Sequence, residues 1–192
     1  MYKSFYSDTC FKDKNKWYYK IIKKNVIDFL KPYFEFKKNK NEDLVLWLEK
    51  YCKPENPPIN IKLRNGLKLD VNDKRLIKFL DSLIQHFKIK DNIIVYRGVD
   101  IDVFQNGNTI FAENGYLSTS LVKEAIWFCH NKKYRYKIFV PKGTCGFCPQ
   151  DFTCRVVEYE LILPRGSKLQ LIRKKKRKKY IEIICKYVDN KI

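Results

Sequence analysis

The run Val157-Glu158-Tyr159-Glu160-Leu161-Ile162-Leu163-Pro164-Arg165-Gly166-Ser167-Lys168-Leu169 sets two acids inside an apolar stretch that ends at a turn. In an extended chain successive side chains point to opposite faces. Val157, Tyr159, Leu161 and Leu163 then share one face, and Glu158 and Glu160 share the other. At roughly 3.3 Å per residue the two carboxylates stand about 7 Å apart. Two like charges at that spacing are costly to bury unless a cation or a chemical task accompanies them. The plain alternative is a solvated acidic strand face, and an isolated E-x-E is read that way.

Short apolar runs separated by turn residues extend back to Asn92 and on towards the end of the chain. Strands are expected at Ile93 to Tyr96, Gly115 to Ser118, Tyr136 to Val140, Val156 to Leu163, Leu169 to Ile172 and Tyr180 to Val188, with a short helix at Val122 to His130. Before Asn92 the pattern is helical. A hydrophobic stretch runs from Trp17 to Leu30, breaks at Pro32, and gives way to a second segment from about Glu42 to Cys52, capped by Asn41. Three prolines make residues 53–58 a loop. Asp70 caps a further helix, whose Leu76, Ile77, Phe79, Leu80, Leu83, Ile84 and Phe87 repeat every three or four residues. Helices first and strands later indicate an α+β architecture. A chain of 192 residues suits one domain, spanning 1–192, with a helical part over about 1–90 and a β-rich part over about 91–192.

A formal charge of +19 calls for an acidic partner without naming it. No apolar run is long enough to span a membrane, and residues 1–16 lack the core of a signal peptide. The seven cysteines are an odd number in no regular framework, which suits a reducing compartment. Cys145, Cys148 and Cys154 are grouped, but a zinc site ordinarily needs four ligands, so independent thiols and no metal are expected. Arg173-Lys174-Lys175-Lys176-Arg177-Lys178-Lys179 reads as an exposed hairpin loop. A solvated run, a nuclear address, a nucleic-acid contact and docking on an acidic surface all remain open for it.

Two other pieces carry chemistry: Tyr96-Arg97-Gly98 and Ser118-Thr119-Ser120, both at strand ends. With Glu158-Tyr159-Glu160 they stand in the order of the R-S-E class of mono-ADP-ribosyltransferases, which this chain resembles. Ile94 to Gly98 is similar to that family's arginine strand, Asn114 to Ser120 to its aromatic-x-S-T-S strand, and Glu158 to Leu169 to its E-x-E strand with the following Pro-Arg-Gly. Ile59-Asn60-Ile61-Lys62-Leu63-Arg64 resembles its I-N-x-x-L-R segment, and Val140 to Thr144 its P-K-G-T. The likeness covers about Tyr51 to Val188. It implies helices packed on a core of two perpendicular β-sheets that form an NAD cleft.

The resemblance also implies roles. Arg97, flanked by Tyr96 and Gly98, would hold the NAD pyrophosphate, for which a planar guanidinium is suited. Glu160 would be the catalytic carboxylate, supporting positive charge as the nicotinamide bond breaks, and Ser118 would brace it from within the cleft. Glu158 would accept the proton of an arginine acceptor, since in the family Glu at this place goes with arginine and Gln with asparagine or nucleobases. Phe152 would touch the protein substrate. Tyr51 and Gly115 are further NAD-contact candidates, with Arg64 and Lys137 as added charge. The expected activity is transfer of ADP-ribose from NAD to a protein arginine by a monomeric, toxin-like effector of a virus or intracellular pathogen, acting in the cytoplasm or, through the basic run, the nucleus. Alternatives are an NAD glycohydrolase and a non-catalytic basic nucleic-acid-binding protein on the same fold.

Overall fold

Asp70 starts the longest described helix. Its carboxylate accepts the Asp73 N–H at 2.8 Å while Asp73 accepts the Asp70 N–H at 3.0 Å, so two otherwise orphaned donors are satisfied reciprocally. The helix runs Val71–His86 (α2) and buries Leu76, Ile77, Leu80, Leu83 and Ile84, the stripe its spacing predicts. A shorter helix, Ile59–Arg64 (α1), precedes it, and Lys62 ties the two by a 2.7 Å bond to Asp73. The computed structural model describes residues 31–32, 46, 48, 51, 58–123, 131–149 and 159–188. Leu46, Leu48 and Tyr51 are helical, as expected of their segment, and Pro32 is helical too, so the helix does not stop before it. Proline's fixed φ is compatible with a helix where its missing donor is not needed.

The strands are Ile93–Val99 (β1), Ile110–Glu113 (β2), Leu117–Ser120 (β3), Tyr134–Val140 (β4), Glu160–Leu163 (β5), Ser167–Lys176 (β6) and Ile181–Val188 (β7). They form one mixed ladder in the order β2-β6-β7-β4-β1-β3-β5, in which β4 and β7 are parallel and all other neighbours antiparallel. The links β2 to β3 and β5 to β6 are three residues each, Asn114 to Tyr116 and Pro164 to Gly166. Such a link reaches at most about 15 Å at 3.8 Å per Cα step, yet each joins strands from opposite ends of the order. The sheet must therefore curl until its ends meet. Gly166, at a φ of +75°, closes the gap by donating to the Glu113 carbonyl at 2.7 Å.

Within this ladder β1 and β3 share a single partner pair, Tyr96↔Ser120, whereas β1 and β4 pair along their whole length. The expected two-sheet core is thus one ladder folded at that seam. A five-strand arm carries Arg97, and a two-strand arm, β3 with β5, carries Ser118 and Glu160.

Two elements differ from the sequence reading. β2 was not anticipated, because as an edge strand it shows no clean alternation: only Glu113 is buried. The basic run is mostly strand, since β6 continues to Lys176, paired with the apolar β7, and only Arg177 to Tyr180 turn. The expected helix at Val122 to His130 and the metal or redox question at Cys154 fall largely outside the described residues.

The core lies between the helices and the inner face of the curl, where Ile138, Ile183, Cys185 and Leu161 are fully buried. Burial pushes the Cys185 thiol well above its ordinary range. A raised folded pKa means that the protonated thiol contributes stability fully below its unfolded pKa, and that this is lost as pH rises beyond it. We expect stability to fall by about 1.4 kcal/mol per pH unit above pH ~8.5, with Tyr116 and Tyr136, also pushed up by burial, adding to the loss at higher pH. Urea midpoints between pH 7 and 10 check this. Cys185→Ala should remove the fall that begins near pH 8.5, and an unchanged profile would contradict the assignment.

Candidate active site

Three strands deliver Arg97, Ser118 and Glu160 to one place. The β3–β5 register sets Ser118 opposite Ile162 and Ser120 opposite Glu160, so Ser118 and Glu160 are diagonal neighbours within reach of each other. The Ser118 hydroxyl donates to Glu160 Oε1. Arg97 crosses the seam and donates from Nη1 to the Ser118 carbonyl at 2.7 Å. The other two hydroxyls of the S-T-S run are structural: Thr119 donates to the Leu161 carbonyl at 2.7 Å, and Ser120 Oγ accepts the Val122 N–H at 3.1 Å.

Arg97 is largely enclosed, and its guanidinium pKa is lowered, first by desolvation and then by the nearby positive charge of Arg64. Glu113 holds these two cations together. It is 3% exposed, accepts from Arg64 Nε at 2.8 Å and from the Gly115 N–H at 2.9 Å through Oε1, and presents Oε2 to Arg97 Nη2 at 3.9 Å. Arg64 Nη2 also reaches the Tyr116 carbonyl at 3.4 Å. Glu113 was not a candidate in the sequence. Its signal was only an acid just before Asn114-Gly115, with no alternation to mark it as buried.

Asn60, one helical turn before Arg64, completes this wall. Its Oδ1 accepts the Tyr116 N–H at 2.7 Å and its Nδ2 donates to the Tyr51 hydroxyl at 3.1 Å. Tyr51, edge-on to Tyr116 at 6.0 Å, lies close enough to Arg97 to act on it electrostatically. A Cβ on Gly115 would meet Asn60 Oδ1 at 2.8 Å. Glycine is required there by Asn60, and its N–H is already given to Glu113.

The arrangement is a cleft wall with two guanidinia, a buried carboxylate between them, and a second carboxylate steadied by a serine. The ADP-ribosyltransferase exoenzyme family profile matches residues 14–189. The chain belongs to that family. No curated protein sequence matches it significantly, but solved structures do, among them three that are covered over nearly their whole length. Plx2a, an ADP-ribosyltransferase toxin from Paenibacillus larvae, is 21% identical with a TM-score of 0.73, covering 87% of this chain and 96% of that one. C3stau2 from S. aureus, solved with NAD, is 20% identical at 0.73 over 98% and 99%. The Clostridium limosum C3 exoenzyme is 17% identical at 0.75 over 98% of both. At such identities the structures establish the ADP-ribosyltransferase fold, and family membership makes the protein an NAD-using ADP-ribosyltransferase.

The remaining candidates of this ADP-ribosyltransferase are not all in the cleft. Tyr96 packs with Ile94 and Phe139 on the face of β1 turned away from Arg97. Lys137, paired with Tyr96, shares that outer face. Gly98 follows Arg97 on β1. Glu158 and Phe152 lie outside the described residues. Tyr159 is left-handed at a φ of +46°, and the strand begins at Glu160. That conformation costs a non-glycine residue roughly 1–2 kcal/mol, and the Tyr159 carbonyl is fixed there by the Leu121 N–H at 2.9 Å. Among the described residues no cluster could hold a metal, and no helix is long and apolar enough to cross a membrane. Lys88 Nζ donates to Cys145 Sγ at 2.9 Å, while Cys148 is buried.

Proposed function

We propose that this ADP-ribosyltransferase transfers ADP-ribose from NAD to an arginine side chain of a protein and releases nicotinamide. The observation that carries the reading is the hydrogen-bonded Ser118–Glu160 pair beside the enclosed Arg97. Bound NAD supplies the N-glycosidic bond that breaks and a pyrophosphate that needs cations. Arg97 spends one N–H on Ser118, and its other donors have no hydrogen-bond partner among the described residues. With Arg64 beside it, it forms a fork suited to phosphate oxygens.

Glu160, held by Ser118, faces the ribose and supports the positive charge that grows as the bond to nicotinamide lengthens. The new bond joins the same ribose carbon to an acceptor guanidinium nitrogen. The proton that nitrogen sheds passes to Glu158, and nicotinamide leaves neutral. Phe152, in the segment before Glu158, contacts the protein acceptor, and Tyr51 lines the NAD side. The proposed setting is the reducing interior of a cell, with the protein as a monomer.

The acceptor assignment rests on Glu158, and Glu158→Gln tests it. With labelled NAD and agmatine or a cell lysate, transfer should fall at least about 100-fold, the scale of a lost general base, while nicotinamide release to water persists. Undiminished labelling of agmatine by the variant would defeat the arginine reading.

A further inference from the structure

The β4, β6 and β7 registers assemble a surface that the linear basic run only hints at. Cross-strand partners lie on the same face. Arg135 pairs with Glu182 and Lys137 with Ile184 across β4 and β7, and Lys175 pairs with Glu182, Arg173 with Ile184 and Gln170 with Lys186 across β6 and β7. Arg135, Lys137, Lys168, Arg173, Lys175 and Lys186 therefore share the outer face of the curl, and the exposed Lys178 and Lys179 extend it at the turn. Glu182 is the one acid at these paired positions, and Arg177 already neutralises it at 2.5 Å. Lys174, on the opposite side, is taken by Asp102 and the Phe104 carbonyl at 2.6 Å each. Arg173, Lys175, Lys178 and Lys179 make no ion pair among the described residues. Strand geometry spaces these cations about 6.6 Å along a strand and about 4.8 Å between strands.

An interface with a folded protein needs an apolar or aromatic centre and is poor in lysine. A membrane-docking tip needs an exposed anchor. The basic part of the face offers neither: Ile94, Tyr96 and Ile184 on the same face are buried, Tyr180 lies under the Arg135 guanidinium at 3.9 Å, and the exposed Ile110, paired with Gln170, and Ile172, at the Leu171/Arg173 bulge, stand singly beside the cations. A polyphosphate chain is a polyanion that cations alone can hold, because neutralised phosphates release counterions. We propose that this outer sheet face binds a nucleic-acid backbone without regard to base sequence. It lies on the side of β1 and β4 opposite Arg97, so a bound strand leaves the NAD cleft open. The proposal does not depend on the arginine-transferase reading.

The test is the salt dependence of binding to fluorescein-labelled 20-mer oligonucleotides of mixed sequence, single-stranded and duplex. The variant Arg173→Gln/Lys175→Gln/Lys178→Gln/Lys179→Gln should bind about tenfold or more weakly, and the slope of log affinity against log salt should shrink by about 3, at roughly 0.7–0.9 per lost contact. Lys68→Gln/Lys74→Gln/Lys78→Gln/Lys90→Gln removes the same charge from exposed positions elsewhere and should leave that slope nearly unchanged. Thermal melting and nicotinamide release should be unaltered in both. The proposal is overturned if both variants lose equally, which would mean bulk charge alone. It is also overturned if a polyglutamate peptide competes as well as unlabelled oligonucleotide, or if phosphatidylserine vesicles capture the protein and oligonucleotides do not.

Discussion

Glu160→Gln should slow nicotinamide release by about 10³-fold, some 4 kcal/mol of transition-state stabilisation, with the dissociation constant for NAD changed by less than about threefold. The amide keeps an oxygen for the Ser118 hydroxyl and nearly the same shape, so the β3–β5 arm keeps its packing. What is removed is the negative charge, and its partner, the growing positive charge on the ribose, exists only on the way to the transition state. The effect should therefore fall on kcat and not on binding. Ser118→Ala leaves the carboxylate in place but unsteadied, and a smaller loss of about tenfold is expected from one hydrogen bond of ~1.4 kcal/mol. Chromatographic nicotinamide release and an independent NAD titration separate the two quantities. A Glu160→Gln enzyme within tenfold of the parent would remove Glu160 from the catalytic role.

The second large effect is expected at Glu113. Glu113→Gln preserves an acceptor for Arg64 Nε and the Gly115 N–H but leaves two guanidinia adjacent with no counter-charge. Removing one partner of a buried ionic group typically costs about 3–5 kcal/mol. The lower figure applies here because Arg64 is partly exposed. A fall of about 3 kcal/mol corresponds to roughly 6–12 °C in Tm for a chain of this size. Saturating NAD should restore part of the loss, since its pyrophosphate brings negative charge to the same two arginines. Scanning calorimetry with and without NAD reads both. A Glu113→Gln protein that melts with the parent would show that the two cations do not need the carboxylate.

Glu113 also marks what the sequence could not display. The α2 helix was legible because its cap and its stripe are local, and Asp70, Asp73 and Leu76 lie within a few residues of one another. Arg97, Ser118 and Glu160 were legible through short motifs in a familiar order. The cations that Glu113 serves lie 16 and 49 residues away, at Arg97 and Arg64, and its strand is an edge with no buried alternation. Tyr159 escaped for another reason. Tyrosine carries no preference for a left-handed backbone, so period-two counting ran through it as though the strand began earlier. The basic run reads as a loop in the sequence because lysines rarely announce a strand, and what makes it a strand is the apolar partner Ile181 to Tyr187, joined to it by the ladder.

The seam at Tyr96↔Ser120 gives the cleft a mechanical character. Separating β1 from β4 would break a ladder seven pairs long; separating β1 from β3 breaks one pair and the strap from Arg97 to Ser118, at about 1 kcal/mol or so for each hydrogen bond. This is the shortest of the strand pairings, so the ladder gives way most readily as a jaw that opens where the S-T-S strand meets the arginine strand, with Arg97 on one side of the bite and Glu160 on the other. Any molecule that grips both sides is held by the stiffness of the two arms and, in return, supplies the clamp that the ladder leaves out.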